Sequence, residues 1–172
     1  MPNYEIPVMP SSPVAMIACA IYCCDGKVYR IKRRPRLSPC TSLGKKKDHC
    51  VRQNVQKAMK KHKVGKDKIQ IEPRKKVRVG SETIVCKPDF MVNGTHIIDA
   101  KFSCDEEKLR AKLPTTRRTA VQDYSVGPAK MTPKERDIYP RIKGKDGNKV
   151  KGVRVMGPEE AESKKGPDCK CS

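Results

Sequence analysis

The stretch Lys87-Pro88-Asp89-Phe90-Met91-Val92-Asn93-Gly94-Thr95-His96-Ile97-Ile98-Asp99-Ala100-Lys101 decides how this chain is read. Two apolar runs flank Asn93-Gly94, and this dipeptide is a strong short-range signal for a β-hairpin. Side chains alternate along a strand, so Asp99 and Lys101 share one face. Ile97, Ile98 and Phe102 surround them. A charge set among apolar neighbours is costly unless it pairs or binds a metal. The plainer alternative is a surface ion pair on a half-exposed strand, worth about 0–1 kcal/mol. The apolar flanks argue against a solvated strand.

Register separates the possibilities. A two-residue turn at Asn93-Gly94 sets Asp89 opposite Ile98, with Asp99 on the other face. A three-residue turn over Asn93-Gly94-Thr95 sets Asp89 opposite Asp99 on the same face. A bulge near Pro88, which cannot donate a ladder hydrogen bond, would serve equally. Convergence of the two acids therefore predicts the three-residue turn or the bulge. Two converging carboxylates beside a lysine can hold a hard divalent cation, which takes one or two carboxylates and completes its shell with water and phosphate oxygens. Such a cation lowers the pKa of a bound water and stabilises charge on phosphorus. The lysine can orient that water or neutralise the transition state.

Working outward, Val51, Val55, Ala58 and Met59 form one apolar stripe, which predicts a helix over 45–63 stopped by Gly65. Strands are expected at 69–71, 77–79, 83–86 and 96–102, short helices at 105–113 and 116–125, and an edge strand at 150–156. Val14 to Cys24 fits a hairpin strand or a short buried helix, and its length does not decide. Residues 1–13 carry Pro2, Pro7, Pro10 and Pro13 and read as an extended arm. Residues 157–172 read as a flexible basic tail. One domain over 14–156 is expected between them.

The chain has 172 residues, with 39 Lys+Arg against 19 Asp+Glu, a formal charge of +20. That excess points to a polyanionic partner: a nuclease's substrate, a binder's nucleic acid, or an acidic protein. The longest apolar run, Val14 to Cys24, has 11 residues, and a membrane span needs about 20. No membrane anchor is expected, and no basic segment precedes the run as in a secretory signal peptide. The nine cysteines show no repeated paired spacing of the zinc-ribbon kind. Their odd count speaks against a full disulfide framework, with one or two bridges near the N-terminus still allowed. Cys86, inside an apolar strand, reads as a small buried residue.

Pro88-Asp89 followed by Asp99-Ala100-Lys101, set in the order helix, strands, acidic hairpin, helix, resembles the PD-(D/E)XK nuclease superfamily over about residues 45–126. The resemblance implies an α+β, restriction-endonuclease-like core with a mixed central sheet flanked by helices. It implies Asp89 and Asp99 as ligands of Mg²⁺ (or Mn²⁺), the Ala100 carbonyl as a third ligand, and Lys101 as the catalytic lysine. Many members carry an acid on the first core helix, which here falls on Asp48. Asp48 reads equally as an N-cap or first-turn acid. Glu72 and Glu82 are rivals on neighbouring strands, and Gln122 and Tyr124 approximate a helix signature of some members at different spacing. His96 reads as a solvent-facing turn residue and His49 as a helix-surface one.

Lys45, Lys46, Lys47, Arg117, Arg118 and the basic run 143–151 are expected to contact phosphates, or to be solvated faces. Small size and a proline-rich arm are similar to bacterial toxin domains delivered by type VI or related secretion. That likeness implies a non-specific DNase acting in a target cell's cytoplasm and a cognate acidic immunity protein. The rival readings are a non-enzymatic nucleic-acid binder with a structural zinc, and an interaction protein for an acidic partner.

Overall fold

Ser38 opens the longest helix. Its hydroxyl accepts from the Thr41 N–H, and Pro39 occupies the first turn, where its missing N–H costs nothing. This helix therefore starts well before Lys45, and Lys63 rather than Gly65 takes the left-handed position at its end, with φ 53°. The computed structural model describes residues 9–31, 38–112, 119–121 and 131–171. In chain order these form α1 (Pro13–Asp25), β1 (Tyr29–Ile31), α2 (Pro39–His62), β2 (Ile69–Ile71), β3 (Lys75–Val79), β4 (Glu82–Cys86), β5 (Phe90–Val92), β6 (His96–Ala100), α3 (Glu106–Lys112), β7 (Thr119–Val121), α4 (Pro133–Asp137), β8 (Gly152–Met156) and α5 (Pro158–Lys164). A 3-10 turn, Tyr139–Arg141, follows α4.

The fold is α+β. A mixed four-stranded sheet runs β2-β5-β6-β8, with β8 parallel to β6 and the other pairs antiparallel. Two antiparallel ribbons, β3-β4 and β1-β7, complete it. Alternation along the strands builds two cores. Phe90, Val92, Ile98 and Met156 face α1, α2 and α5, meeting Ile17, Ile21, Val51, Val55 and Ala161. Met91 and Ile97 face the opposite way, onto Val77, Cys86, Tyr139 and Ile142. No helix among the described residues is long and apolar enough to cross a membrane.

Several expectations change. Of the two readings left open for Val14 to Cys24 the buried helix holds: it is α1, apolar nearly all round because α2 and α5 enclose it. Residues 119–121, expected in a helix, form β7 against β1. Residues 1–8 of the proline-rich arm lie outside the described residues, whereas Met9 is buried and its carbonyl pairs with His62 Nε2 at 2.7 Å. The described part of the expected basic tail, 157–171, is ordered around a helix, and the segment is not basic. It holds α5 and carries Glu159, Glu160, Glu162 and Asp168 against Lys164, Lys165 and Lys170.

Four disulfides overturn the expectation of few bridges: Cys19–Cys169, Cys23–Cys171, Cys24–Cys50 and Cys40–Cys104. The odd count arises from Cys86 alone, free and buried as expected. The sulfurs of Cys19, Cys23 and Cys169 lie within 4.8 Å of one another. Disulfides take up all three, so they offer no thiolates to a zinc ion.

Candidate active site

The site begins at the β5–β6 turn. Asn93 and Gly94 both have positive φ, 54° and 67°, and the Thr95 N–H bonds the Val92 carbonyl at 3.1 Å. Thr95 adds a third loop residue, so Val92 pairs with His96, Met91 with Ile97 and Phe90 with Ile98. The next positions out are Asp89 and Asp99. This is the three-residue register, and both carboxylates point to the face that carries Met91 and Ile97.

The two acids are latched to each other's strand. The Asp89 N–H donates to Asp99 Oδ1 at 2.7 Å, and the Ala100 N–H donates to Asp89 Oδ2 at 2.8 Å. One oxygen of each carboxylate is thereby fixed. The other, Asp89 Oδ1 or Asp99 Oδ2, takes no hydrogen bond among the described residues. Burial pushes Asp89 up to about 8, helped by the charges of Asp99 and Asp48. Burial also pushes Asp99 up to about 6, against the pull of the Asp89 N–H and with the push of Glu135. The pair thus retains a proton near neutral pH, because two like charges in a dry site resist ionising together.

Lys101 lies on the same side, with Nζ 2.7 Å from Glu135 Oε1. Burial works against its charge, but the hydrogen bond and charge of Glu135, with Asp99 and Asp89 behind, hold its pKa above the usual lysine value. Glu135 is 2% exposed. It sits on α4 in a capping box, where its Oε1 accepts from the Thr132 hydroxyl at 2.6 Å and from the Thr132 N–H at 3.3 Å. Its Oε2 is buried with no hydrogen-bond partner, a state that costs about 1–3 kcal/mol or more for a charged group. Tyr139, at the start of the 3-10 turn, completes the wall. Burial raises its phenol pKa, and the charges of Asp99, Cys86, Glu135 and Asp89 add to the rise.

Asp48 is not the cap of α2, since Ser38 is. It lies in the body of the helix, half-buried. Burial raises its carboxyl, while the charges of Arg52 and Lys101 pull it back. Its own charge acts on both Asp89 and Asp99, so α2 brings a third acid to the edge of the pair. Glu72 is an exposed partner of Arg52 at 3.3 Å, and its N–H bonds the Asp89 carbonyl at 2.8 Å. Glu82, His49 and His96 are exposed.

The expected phosphate contacts divide. Lys45 and Lys46 are exposed. Lys47 is not available: it is 2% exposed, bonds Asp25 at 2.6 Å and lies 5.3 Å from the Phe102 ring centre. Its place on the inner face of α2 removes it from any phosphate surface. Arg117, Arg118, Gln122 and Tyr124 lie outside the described residues.

Sequence reasoning missed Glu135 and Tyr139. Thr132-Pro133-Lys134-Glu135 does carry a capping-box signature, but that motif announces a helix start and not an ion pair with a distant lysine. Shape does not mark the site either: a hollow of about 890 Å³ between the end of α2 and β2 is lined by Met59, Lys63, Val64, Ile69 and Ile71 and contains no acid.

The donor set suits a hard cation. Asp89 Oδ1, Asp99 Oδ2 and a backbone carbonyl are all oxygens. The only group of three ligand-type side-chain atoms this close together among the described residues is the cysteine set already bonded. Any cation here would therefore rest on two carboxylates and fill its shell with solvent and substrate, which is the habit of Mg²⁺. Set against family models, curated proteins and solved structures, the chain matches none of them.

Proposed function

We propose that the chain is a metal-dependent nuclease of the PD-(D/E)XK kind that hydrolyses phosphodiester bonds, acting as a non-specific DNase. The observation that carries this is the reciprocal latch between Asp89 and Asp99, a half-buried and a buried carboxylate each with an oxygen left unbonded, beside the half-buried Lys101. A surface ion pair needs none of this, and burying acids in so basic a chain has a stability cost that a structural role does not repay.

Asp89, Asp99 and the Ala100 carbonyl would hold Mg²⁺ or Mn²⁺, which supplies a bound water of lowered pKa and positive charge for the phosphoryl oxygens. The backbone latches fix both carboxylates before substrate arrives, so little reorganisation is left for the reaction. A cation bound there would displace the proton that the pair retains near neutral pH. Lys101, kept charged by Glu135, donates to the attacking water or to a non-bridging phosphate oxygen. Glu135 sets the position of that ammonium through Oε1. Asp48 adds negative charge from the α2 side.

The four disulfides suit a protein that folds or works in oxidising surroundings, which supports export as a toxin effector. An acidic immunity protein is the matching partner for a +20 chain. The test uses purified protein, supercoiled plasmid and Mg²⁺, with EDTA, Asp99→Ala and Lys101→Ala as controls. Cleavage that needs Mg²⁺ and both residues is expected. Intact plasmid in every lane, with protein shown to be folded, refutes the nuclease and leaves a non-enzymatic binder. Cleavage that survives both substitutions refutes the site.

A further inference from the structure

A groove of about 610 Å³ is lined by Lys75, Lys76 and Arg78 of β3, by Arg141 of the 3-10 turn, and by Lys143 and Lys149, with Val77 as its floor. We propose that this groove is the track that holds the backbone phosphates of duplex DNA and leads them to the acidic pair. The choice of DNA rests on the nuclease reading; the groove itself rests on its own geometry.

Six cations line it and no acid does. None of the six is in an ion pair among the described residues. Asp137, the acid nearest in effect to Arg141, is already held by Arg136 at 3.1 and 3.0 Å. Lys143 and Lys149 are direct partners in an antiparallel bridge. Like charges set opposite each other cost stability, and one acid at either position would relieve it. The arrangement instead leaves an uncompensated row of charge that a polyanion would neutralise.

The row is built rigidly and aimed. Residues 142–150 close as a hairpin through Gly144 N–H to Asn148 O at 2.8 Å and Val150 N–H to Ile142 O at 2.8 Å. That hairpin is docked on the acidic one: the Lys145 N–H bonds Gly94 O at 3.0 Å and the Lys151 N–H bonds Thr95 O at 2.7 Å. Below, Val77 joins Met91, Ile97, Tyr139 and Ile142 in one apolar cluster. The groove and the acids therefore share one face of the sheet, and Tyr139, two residues before Arg141, is close enough to Asp99 and Asp89 to feel their charges. Val77 is buried, so the exposed lining belongs to the six cationic side chains, their aliphatic stems included.

The test is binding of a labelled duplex to the full chain in EDTA, over a range of salt. Lys143→Gln/Lys149→Gln and Lys76→Gln/Arg78→Gln are compared with Lys60→Gln/Lys61→Gln on the far end of α2. Each groove pair should make the slope of log K against log salt shallower by about 1.8, since each lost phosphate contact removes about 0.9. The α2 pair should leave it unchanged. The Lys143/Lys149 variant should melt at or above the parent, because a repulsive pair is removed. Unchanged slopes in both groove variants, or no duplex binding by the parent, overturn the proposal. Shallower slopes in a protein that never cleaves with Mg²⁺ refute the nuclease and leave the groove standing. Cleavage with unchanged slopes does the reverse.

Discussion

Replacing Asp89 by asparagine should stabilise the metal-free protein while abolishing cleavage. The folded carboxyl titrates at about 8, whereas an unfolded aspartate titrates near 3.9. Between those values the folded state holds a proton that the unfolded state has lost. Stability therefore falls as pH rises through this window, by about 1.4 kcal/mol per unit, and levels off above it. At pH 7 the accumulated cost is about 4 kcal/mol by the same relation. Asparagine keeps an oxygen for the Ala100 N–H and has nothing to ionise. Urea titrations in EDTA at several pH values between about 4 and 8 should show the variant gaining on the parent steadily as pH rises. Asp99 shares the pair's proton, so the difference between variant and parent reports the pair and not Asp89 alone. A variant less stable than the parent at neutral pH, or a difference that does not change with pH, would refute the buried-acid reasoning.

Four other outcomes are expected. Lys101→Ala should lower cleavage by roughly 10²–10³, and Glu135→Gln should move the alkaline limb of the rate profile to lower pH, because Lys101 loses the group that raises its pKa; an unmoved limb sinks the pairing. Cys40→Ser/Cys104→Ser opens a loop with a sequence separation of 64 and should cost about 4 kcal/mol in denaturant titrations. Gly144→Ala drives a Cβ into the Gly94 carbonyl oxygen. It should cost about 1–3 kcal/mol and loosen duplex binding with it, whereas wild-type melting and binding would show that the two hairpins do not need this contact.

What could be read from the sequence followed from short-range rules. Alternation located β2 to β6 and β8, and Asn93-Gly94-Thr95 allowed the register that the strands adopt. The acidic pair could be inferred because both members sit on one hairpin. Contacts made across the fold left no such trace. Glu135 meets Lys101 only because α4 packs beside the sheet. Lys47 looked like part of a basic triplet until α1 supplied Asp25. The helix α1 showed no amphipathic period because α2 and α5 bury it on several sides. The cysteine pairing was hidden for the same reason, since spacing along the chain does not encode which helices lie together.

The two bridges from α1 to the segment after α5 have a topological consequence. Cys19–Cys169 and Cys23–Cys171 span separations of 150 and 148 residues, so almost the whole polypeptide lies inside a covalent ring. A protease that cuts one peptide bond between Cys23 and Cys169 opens the ring without dividing the molecule. The nicked protein would run as one species on a non-reducing gel and as fragments only after the sulfurs are reduced.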